Sequence, residues 1–298
     1  MNTLQILWSG VAQGMIYALV AFGYNITFAT SRTLNFSLGN ILMLGGVTGF
    51  VLAMTHAWPA AAAVAGVLAV GAVTGVVLQK VAVEPSLRTR SPYAWILATL
   101  AFGIVIRNGV EVWWSTDDFK MRSPLGDDPI RLFSGGRPGG GIGVYPQEIL
   151  IIGVSLGIVA LVEVLRRRTL LGKALTAVSE DRETASLMGI DQRRIVLLSF
   201  AVSAAIAAAG GMLVAPITLV SATMGTVLGV KAYAASIIGG LESGLGAVVG
   251  GLVIGLSESL TARFVSTGYK DVPGFVILIV LLLVRPSGLF GRAAIRKV

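Results

Sequence analysis

The sequence predicts an all-α integral membrane protein, a polytopic helical bundle of about eight or nine membrane elements, some of them broken or re-entrant. Of its 298 residues, 55% are hydrophobic and 13% are charged, and the mean hydropathy is +0.83. Soluble domains carry about a quarter charged residues, so an ordinary soluble fold is excluded. The net charge of +8 comes from short cationic clusters beside apolar runs. That pattern is typical of cytoplasmic loops and not of a nucleic-acid surface, and no nucleic-acid partner is expected.

Uncharged runs mark the predicted spans. A helix needs about 20 residues to cross the hydrocarbon core, so residues 1–31 hold one crossing and residues 33–79 hold two. The first run lacks a basic n-region and a cleavage site, which predicts a retained span. The further candidates, some too short to cross alone, are 91 to about 114, 149–165, 195–230, 232 to about 241, 243–262 and 272–284.

Two short segments, 34–40 and 216–229, are the candidates for broken elements. Irregular backbone is tolerated at membrane depth only where it is shielded from lipid, so such segments usually line a cavity. Glycines also recur at the small-xxx-small spacing that lets helices approach closely, and we favour packing within one bundle over a dedicated dimerisation motif. The pairs are Gly10/Gly14, Gly45/Gly49, Gly71/Gly75, Gly153/Gly157, Gly246/Gly250 and Gly251/Gly255.

Positive charge predicts the orientation of the bundle. Basic residues cluster in the loop 80–90, in the segment 166–194 and in the tail, and these parts are expected in the cytoplasm. The loop 115–147, with balanced charge and a glycine-rich turn at 135–143, is then external. The side of the N-terminus depends on whether the element near residue 35 crosses, and both alternatives stay open. The basic residues of the first loop and the tail are Lys80, Arg88, Arg90, Arg285, Arg292, Arg296 and Lys297.

The segment 166–194 has 11 charged residues among 29, so it must lie in water. Leu171, Leu175, Val178 and Ala185 recur at near-helical spacing until Gly189 interrupts the pattern. This predicts a short amphipathic helix with a glycine stop. Such a helix on the cytoplasmic side is suited to docking another protein.

Motifs for catalysis are absent from the sequence. Gly172 and Lys173 lack the upstream glycine and the following Ser or Thr of a nucleotide-binding loop, and there is no HExxH, GxSxG or cysteine. We therefore expect no enzymatic activity, no cofactor and no metal. Three local hypotheses concern ionisable residues in or near the spans. Arg107 and Glu111 form an i,i+4 ion pair, and Glu242 lies in a turn at the inner surface. Glu258 either faces a cavity or pairs with Arg263.

Four motifs in order resemble one transporter family. They are residues 9–23 followed by 34–39, the polar segment 169–191 with Ala185–Ile190, the glycine-rich 239–251, and 285–291. Together they resemble the LivH-type permeases of branched-chain amino acid ABC importers. The resemblance implies a single transmembrane permease domain over 1–298, with a cytoplasmic coupling segment at 166–194 and the external loop at 115–147. It also implies a multi-pass protein of the cell (inner) membrane.

The resemblance further implies partners and site residues. The partners would be a second homologous permease subunit, two ATP-binding subunits that hydrolyse ATP, an external solute-binding protein and the surrounding membrane lipid. The ATPase-coupling residues would be Glu180, Asp181, Ala185, Met188 and Gly189. The substrate pathway would include Tyr17, Asn35, Ser37 and Asn40.

The sequence departs from the family pattern beside Asn35. Ser37, Leu38, Gly39 and Asn40 stand where the family usually has Ala, His or Gln, Gly and an acid. The resemblance implies a branched-chain or other hydrophobic amino acid as the solute, and this departure leaves urea or short amides as the alternative. A stand-alone secondary carrier is the rival from another class.

Overall fold

A computed structural model describes residues 3–89, 91, 93–126, 128–131 and 143–291. Within these residues the fold is almost entirely helical, and its only paired strands form a short antiparallel hairpin of β1 (Ile130–Arg131) and β2 (Gly143–Val144). The α-helices are α1 (Thr3–Ser31), α2 (Leu38–Phe50), α3 (Ala60–Leu78), α4 (Glu84–Leu87), α5 (Ala94–Trp113), α6 (Pro146–Arg168), α7 (Leu170–Glu180), α8 (Arg182–Leu187), α9 (Gln192–Val214), α10 (Met224–Gly239), α11 (Gly244–Phe264) and α12 (Val272–Val284). π-helical turns, Val51–Thr55 and Gln79–Val83, continue α2 and α3.

Eight helical segments in the described part of the chain are long and apolar enough to cross a membrane. A ninth apolar helix, α10, has only 16 residues. The all-α membrane fold and the count of eight or nine elements are thereby confirmed. The sequence boundary at Lys231 is wrong, because this residue lies in the middle of α10 and the helix is interrupted earlier, at residues 215–223. The prediction ended one uncharged run and began the next at a lone cation that lies within one helix.

Helix α1 is the centre of the bundle. Of the 18-residue apolar stretch within α1, 72% is buried. The corresponding value for the last span, which ends with α12, is 6%. Glycines form the seam between α1 and α11: a Cβ on Gly14 would lie 2.8 Å from the carbonyl oxygen of Gly251, and one on Gly255 would lie 2.4 Å from that of Gly10. These glycines pack helices inside one bundle, as expected. Gly153 and Gly157 of α6 differ, because an added Cβ would meet no described atom within 4 Å.

The bundle has two distinct ends. We call the end formed by residues 31–32, 79–89, 166–194, 240–243 and 285–291 the basic end. The opposite end, which we call the far end, is held by contacts such as the backbone pairing of Phe119 with Val220 and the bond from Gln147 Nε2 to the carbonyl oxygen of Leu213, 2.7 Å. Within the described residues, nine elements alternate in direction, from α1, which starts at the far end, to α12, which ends at the basic end. The charge rule predicts that the basic end lies in the cytoplasm.

Several predicted features lie outside the described residues. The external loop 115–147 is described only on its two sides, so most of its glycine-rich turn is not covered. The same holds for four of the basic residues that were used to orient the chain. The uncovered features are 135–142, Arg90, Arg292, Arg296 and Lys297.

Candidate functional site: a broken helix, a buried charge cluster and a coupling unit

The chain leaves helical geometry inside the bundle between α1 and α2. Leu38 starts α2 next to Gly23 and Ser203, since a Cβ on Gly23 would lie 3.3 Å from Leu38 Cδ2 and 3.1 Å from Ser203 Oγ. Gly23 lies eight residues before the end of α1, which is about 12 Å along the helix. The break at residues 33–37 is therefore well inside the bundle, and the predicted broken element near residue 35 is confirmed.

Polar side chains fill this break. Asn35 is fully buried, and its Oδ1 accepts a hydrogen bond of 3.0 Å from the backbone N–H of Ser37. The Ser37 hydroxyl donates to the carbonyl oxygen of Thr99 in α5. Among the described residues, Asn35 Nδ2 and Asn40 Oδ1 are buried without a hydrogen-bond partner. An unpaired buried polar atom costs about 1–3 kcal/mol, and a solute that bonded to these two amides would remove that cost. Their pathway role stays a prediction.

A cluster of charged side chains occupies the interior between α1, α10 and α11. The Lys231 ammonium of α10 lies 2.8 Å from Glu258 Oε1 of α11 and 2.7 Å from Asp271 Oδ1, just before α12. The Lys231 and Glu258 side chains are 5% and 6% exposed, whereas that of Asp271 is 45% exposed. Among the described residues, Lys231 is the only buried Lys or Arg.

Tyr17 joins the charge cluster to α1. Its hydroxyl donates to Glu258 Oε2 at 2.9 Å and accepts from Gln13 Nε2 at 3.0 Å and from Lys231 at 3.3 Å. Tyr17, Glu258 and Asp271 each lie thirteen or fourteen residues from the basic end of their helices. That separation is about 20 Å, two thirds of the thickness of a hydrocarbon core of about 30 Å.

The sequence did not predict this cluster. Of the two alternatives for Glu258, pairing with Arg263 is wrong, because its partner is Lys231. No prediction concerned Asp271, and Tyr17 was expected in the pathway without these neighbours. One signal could have revealed Lys231: apolar residues surround it for two helical turns, which is where a lone cation needs a buried counter-charge. The local Arg107–Glu111 pair is confirmed, at 2.9 Å.

The coupling segment folds as two short helices, so the expectation of one amphipathic helix is wrong. Asp181 interrupts it: its Oδ1 accepts hydrogen bonds from the backbone N–H groups of Glu183, 2.9 Å, and Thr184, 3.2 Å. Asp favours the N-cap of a helix over its interior, which explains why α7 ends and α8 begins here. The predicted glycine stop is confirmed. Gly189 has φ +83°, and Ile190 N–H donates to the carbonyl oxygen of Ala185 at 3.1 Å, which is a Schellman motif.

The exposed tip of this unit is apolar. Leu187 and Met188 are 86% and 78% exposed, while Ala185 is buried with Val178 and Ile195. Glu180 and Asp181 lie on the surface at the junction of α7 and α8, and Gly189 is exposed beside the tip. The structure thus places Met188 and Gly189 where a partner can reach them and Ala185 beneath them, and it adds Leu187. The coupling role of the predicted residues stays a prediction.

Two arginines tie the coupling unit to α1. Arg182 of α8 donates to the carbonyl oxygen of Thr30. Arg32 donates to the carbonyl oxygen of Ser179 at 3.1 Å and forms an ion pair with Glu242, in the turn between α10 and α11. Burial, and then the charge of Arg32, lower the pKa of the Arg182 guanidinium. The ends of α1, α7, α10 and α11 therefore meet at one point of the basic end, where Glu242 was expected in a turn.

The chain matches known permeases over nearly its whole length. Residues 6–285 match the family model described as branched-chain amino acid transport system / permease component. The chain is 30% identical to the high-affinity branched-chain amino acid transport system permease protein LivH of Escherichia coli, over 99% of this chain and 97% of that protein. It is also 30% identical to BraD of Pseudomonas aeruginosa, over 99% and 98% of the two chains.

Two further similarities are more distant. The ribose import permease protein RbsC of Escherichia coli is 27% identical, over 95% of this chain and 86% of its own length. The solved structure of PsaBC from Streptococcus pneumoniae in complex with Fab superposes with a TM-score of 0.52 at 11% identity, over 96% and 94% of the two chains. That likeness concerns the fold alone. With the match over residues 6–285 and the identity to LivH, this multi-pass protein of the cell membrane belongs to the family of permease components of branched-chain amino acid transport systems.

Proposed function

We propose that this chain is the permease subunit of an ABC importer that carries branched-chain or other hydrophobic amino acids across the cell membrane, driven by ATP hydrolysis in partner subunits. It pairs with a second homologous permease, and two ATP-binding subunits dock at its basic end. A soluble solute-binding protein delivers the solute at the far end. The chain itself hydrolyses no nucleotide.

The exposed apolar tip of the coupling unit carries this proposal. Leu187 and Met188 are mostly exposed on a segment that extends from the membrane helices into water. Exposed large apolar side chains on such a segment support a protein-docking surface. Because Arg32 and Arg182 tie this unit to the end of α1, a push on the tip moves the most buried helix of the bundle. A stand-alone carrier, the rival function, has no need of such a tip.

The proposed solute class rests on the relatives. LivH and BraD are named for branched-chain amino acids. RbsC is named for ribose, so an uncharged solute such as a sugar, urea or a short amide is the alternative. The polar break at Asn35 and Asn40 suits either class, whereas the Lys231 cluster favours a charged solute.

The docking proposal is tested with Leu187→Asp/Met188→Asp. In cells that express the ATP-binding subunits, the parent chain is expected to co-purify with them. The double variant is expected to insert in the membrane without them, since a buried interface does not tolerate unpaired carboxylates. The matched control is Leu125→Asp, an exposed leucine near the far end, which should retain the subunits. Normal recovery of the ATP-binding subunits with the double variant would contradict the docking site.

The solute proposal is tested by uptake into vesicles that contain the reconstituted importer, ATP inside and the solute-binding protein outside. Radiolabelled leucine, isoleucine and valine are expected to accumulate, and urea and ribose are not. Accumulation of urea or ribose without leucine would replace the proposed solute by the alternative.

A further inference from the structure

We propose that Lys231, Glu258, Asp271 and Tyr17 form a solute site that holds the ammonium and carboxylate groups of a zwitterionic amino acid during transport. This inference rests on the proposed function and deepens it, because it names the charged groups of the solute that the protein recognises. The four side chains come from α1, α10, α11 and the start of α12.

The charges of the cluster complement those of a zwitterion. One ammonium and two carboxylates are present, so the ionised cluster has one negative charge in excess. A solute ammonium can pair with that extra carboxylate. The solute carboxylate can accept from Lys231, whose ammonium has three donors. Lys231 then pairs with both Glu258 and the solute carboxylate, and Asp271 pairs with the solute ammonium, while the excess of one negative charge is unchanged.

Asp271 is the exposed member of the cluster. Its side chain is half exposed, whereas Lys231 and Glu258 are enclosed behind it. Asp271 follows the exposed turn 265–270 of the far end and precedes α12, the least buried span. A solute ammonium that arrives from the far end therefore meets Asp271 first. Asp271 can release Lys231 and pair with the solute ammonium instead. The Lys231–Glu258 ion pair then remains.

An uncharged solute has no use for these charges. Burying the charges of Lys231 and Glu258 costs stability, and apolar residues often replace a buried ion pair without loss. Urea and sugars carry neither an ammonium nor a carboxylate, so for them the cluster would only raise the cost of folding. The presence of the cluster therefore points to an amino acid as the solute class.

The experiment removes all the charges together. A single substitution leaves an unpaired buried charge and disturbs folding under any hypothesis. The informative variant is Lys231→Met/Glu258→Leu/Asp271→Asn, in vesicles that contain the complete importer and its loaded solute-binding protein. We expect it to assemble with its partners and to take up L-leucine at about one tenth of the parent rate or below. The matched control is Arg107→Met/Glu111→Leu, which removes the ion pair of α5 and should leave leucine uptake unchanged.

Leucine uptake by the triple variant at the parent rate would overturn the proposal and assign the cluster a purely structural role. If the triple variant does not assemble, Asp271→Asn alone decides, because it keeps the Lys231–Glu258 pair. Slow leucine uptake by an assembled Asp271→Asn complex supports the site, and parental uptake overturns it. A parent complex that carries no amino acid contradicts the proposed function itself, which separates the two failures.

Discussion

Two ionic networks join the same helices at two levels of the molecule. At the basic end, Arg32 and Glu242 connect α1 to the α10–α11 turn, with side chains 48% and 43% exposed. About 20 Å deeper, Tyr17, Lys231 and Glu258 connect α1, α10 and α11 again, almost wholly buried. An exposed ion pair contributes about 0–1 kcal/mol, whereas loss of one partner of a buried pair costs about 3–5 kcal/mol. The network at the basic end therefore contributes little to stability, whereas removal of one member of the buried cluster costs several kcal/mol.

These helices can transmit a movement of the coupling unit to the charge cluster. Since α1, α10 and α11 are fastened to one another at both levels, we expect them to move as one body. A displacement of the coupling unit at Arg32 then reaches the charge cluster with little loss. The glycine seam between α1 and α11 lies along this body and keeps its two main helices in contact.

The largest expected effect is on the buried network. Lys231→Ala leaves the enclosed Glu258 without its cation and is expected to lower the free energy of unfolding by about 3–5 kcal/mol. Thermal unfolding of the purified chain in detergent measures this loss. The triple variant Lys231→Met/Glu258→Leu/Asp271→Asn should have a free energy of unfolding close to that of the parent. Equal stability of Lys231→Ala and the parent would erase the distinction between the two networks.

An intermediate effect is expected from the seam that aligns the buried network. Gly14→Val places methyl groups against the carbonyl oxygen of Gly251, 2.8 Å from the ideal Cβ position. Overpacking of this kind costs about 1–3 kcal/mol, and the separation of α1 from α11 should weaken the bond from Tyr17 to Glu258. Gly153→Val on α6 is the control, because no described atom lies within 4 Å of its Cβ. A similar loss of unfolding free energy in both variants would mean that the seam has no special role.

The smallest effect on stability is expected at the basic end. Arg32→Ala should change the free energy of unfolding by at most about 1 kcal/mol. The same substitution removes the link between α1, Ser179 and Glu242, so fewer leucine molecules should be transported per ATP hydrolysed. Arg88→Ala, which breaks the exposed pair with Glu84, serves as the control. If Arg32→Ala keeps the parental ratio of leucine transported to ATP hydrolysed, the network at the basic end is not part of the coupling path.

What the sequence could predict was local. The span pattern, the break near Asn35, the Arg107–Glu111 pair and the stop at Gly189 follow from composition or from spacing within one helix or turn. Each of these depends on residues at most a few turns apart. Local patterns in the chain express such features directly, which is why they were found without the structure.

What the sequence could not predict was the meeting of distant residues. Tyr17 and Glu258 are 241 residues apart, and Arg32 and Glu242 are 210 apart. Pairing over such separations depends on how the helices pack, and no local pattern specifies that. The boundary at Lys231 was wrong for the same reason. When its counter-charges are unknown, a cation in an apolar run is better explained as the end of a span. Asp181 was placed inside a helix because its capping bonds compete closely with helix continuation.

The short length of α10 has a consequence for how the chain enters the membrane during synthesis. Sixteen residues extend about 24 Å, less than the hydrocarbon thickness of about 30 Å, and the helix carries a cation at its middle. Such a segment inserts poorly by itself. Its counter-charge, Glu258, is translated 27 residues later on α11, and Asp271 follows with α12. We therefore expect α10 to remain at the translocon until α11 is made and to insert together with α11 as a hairpin.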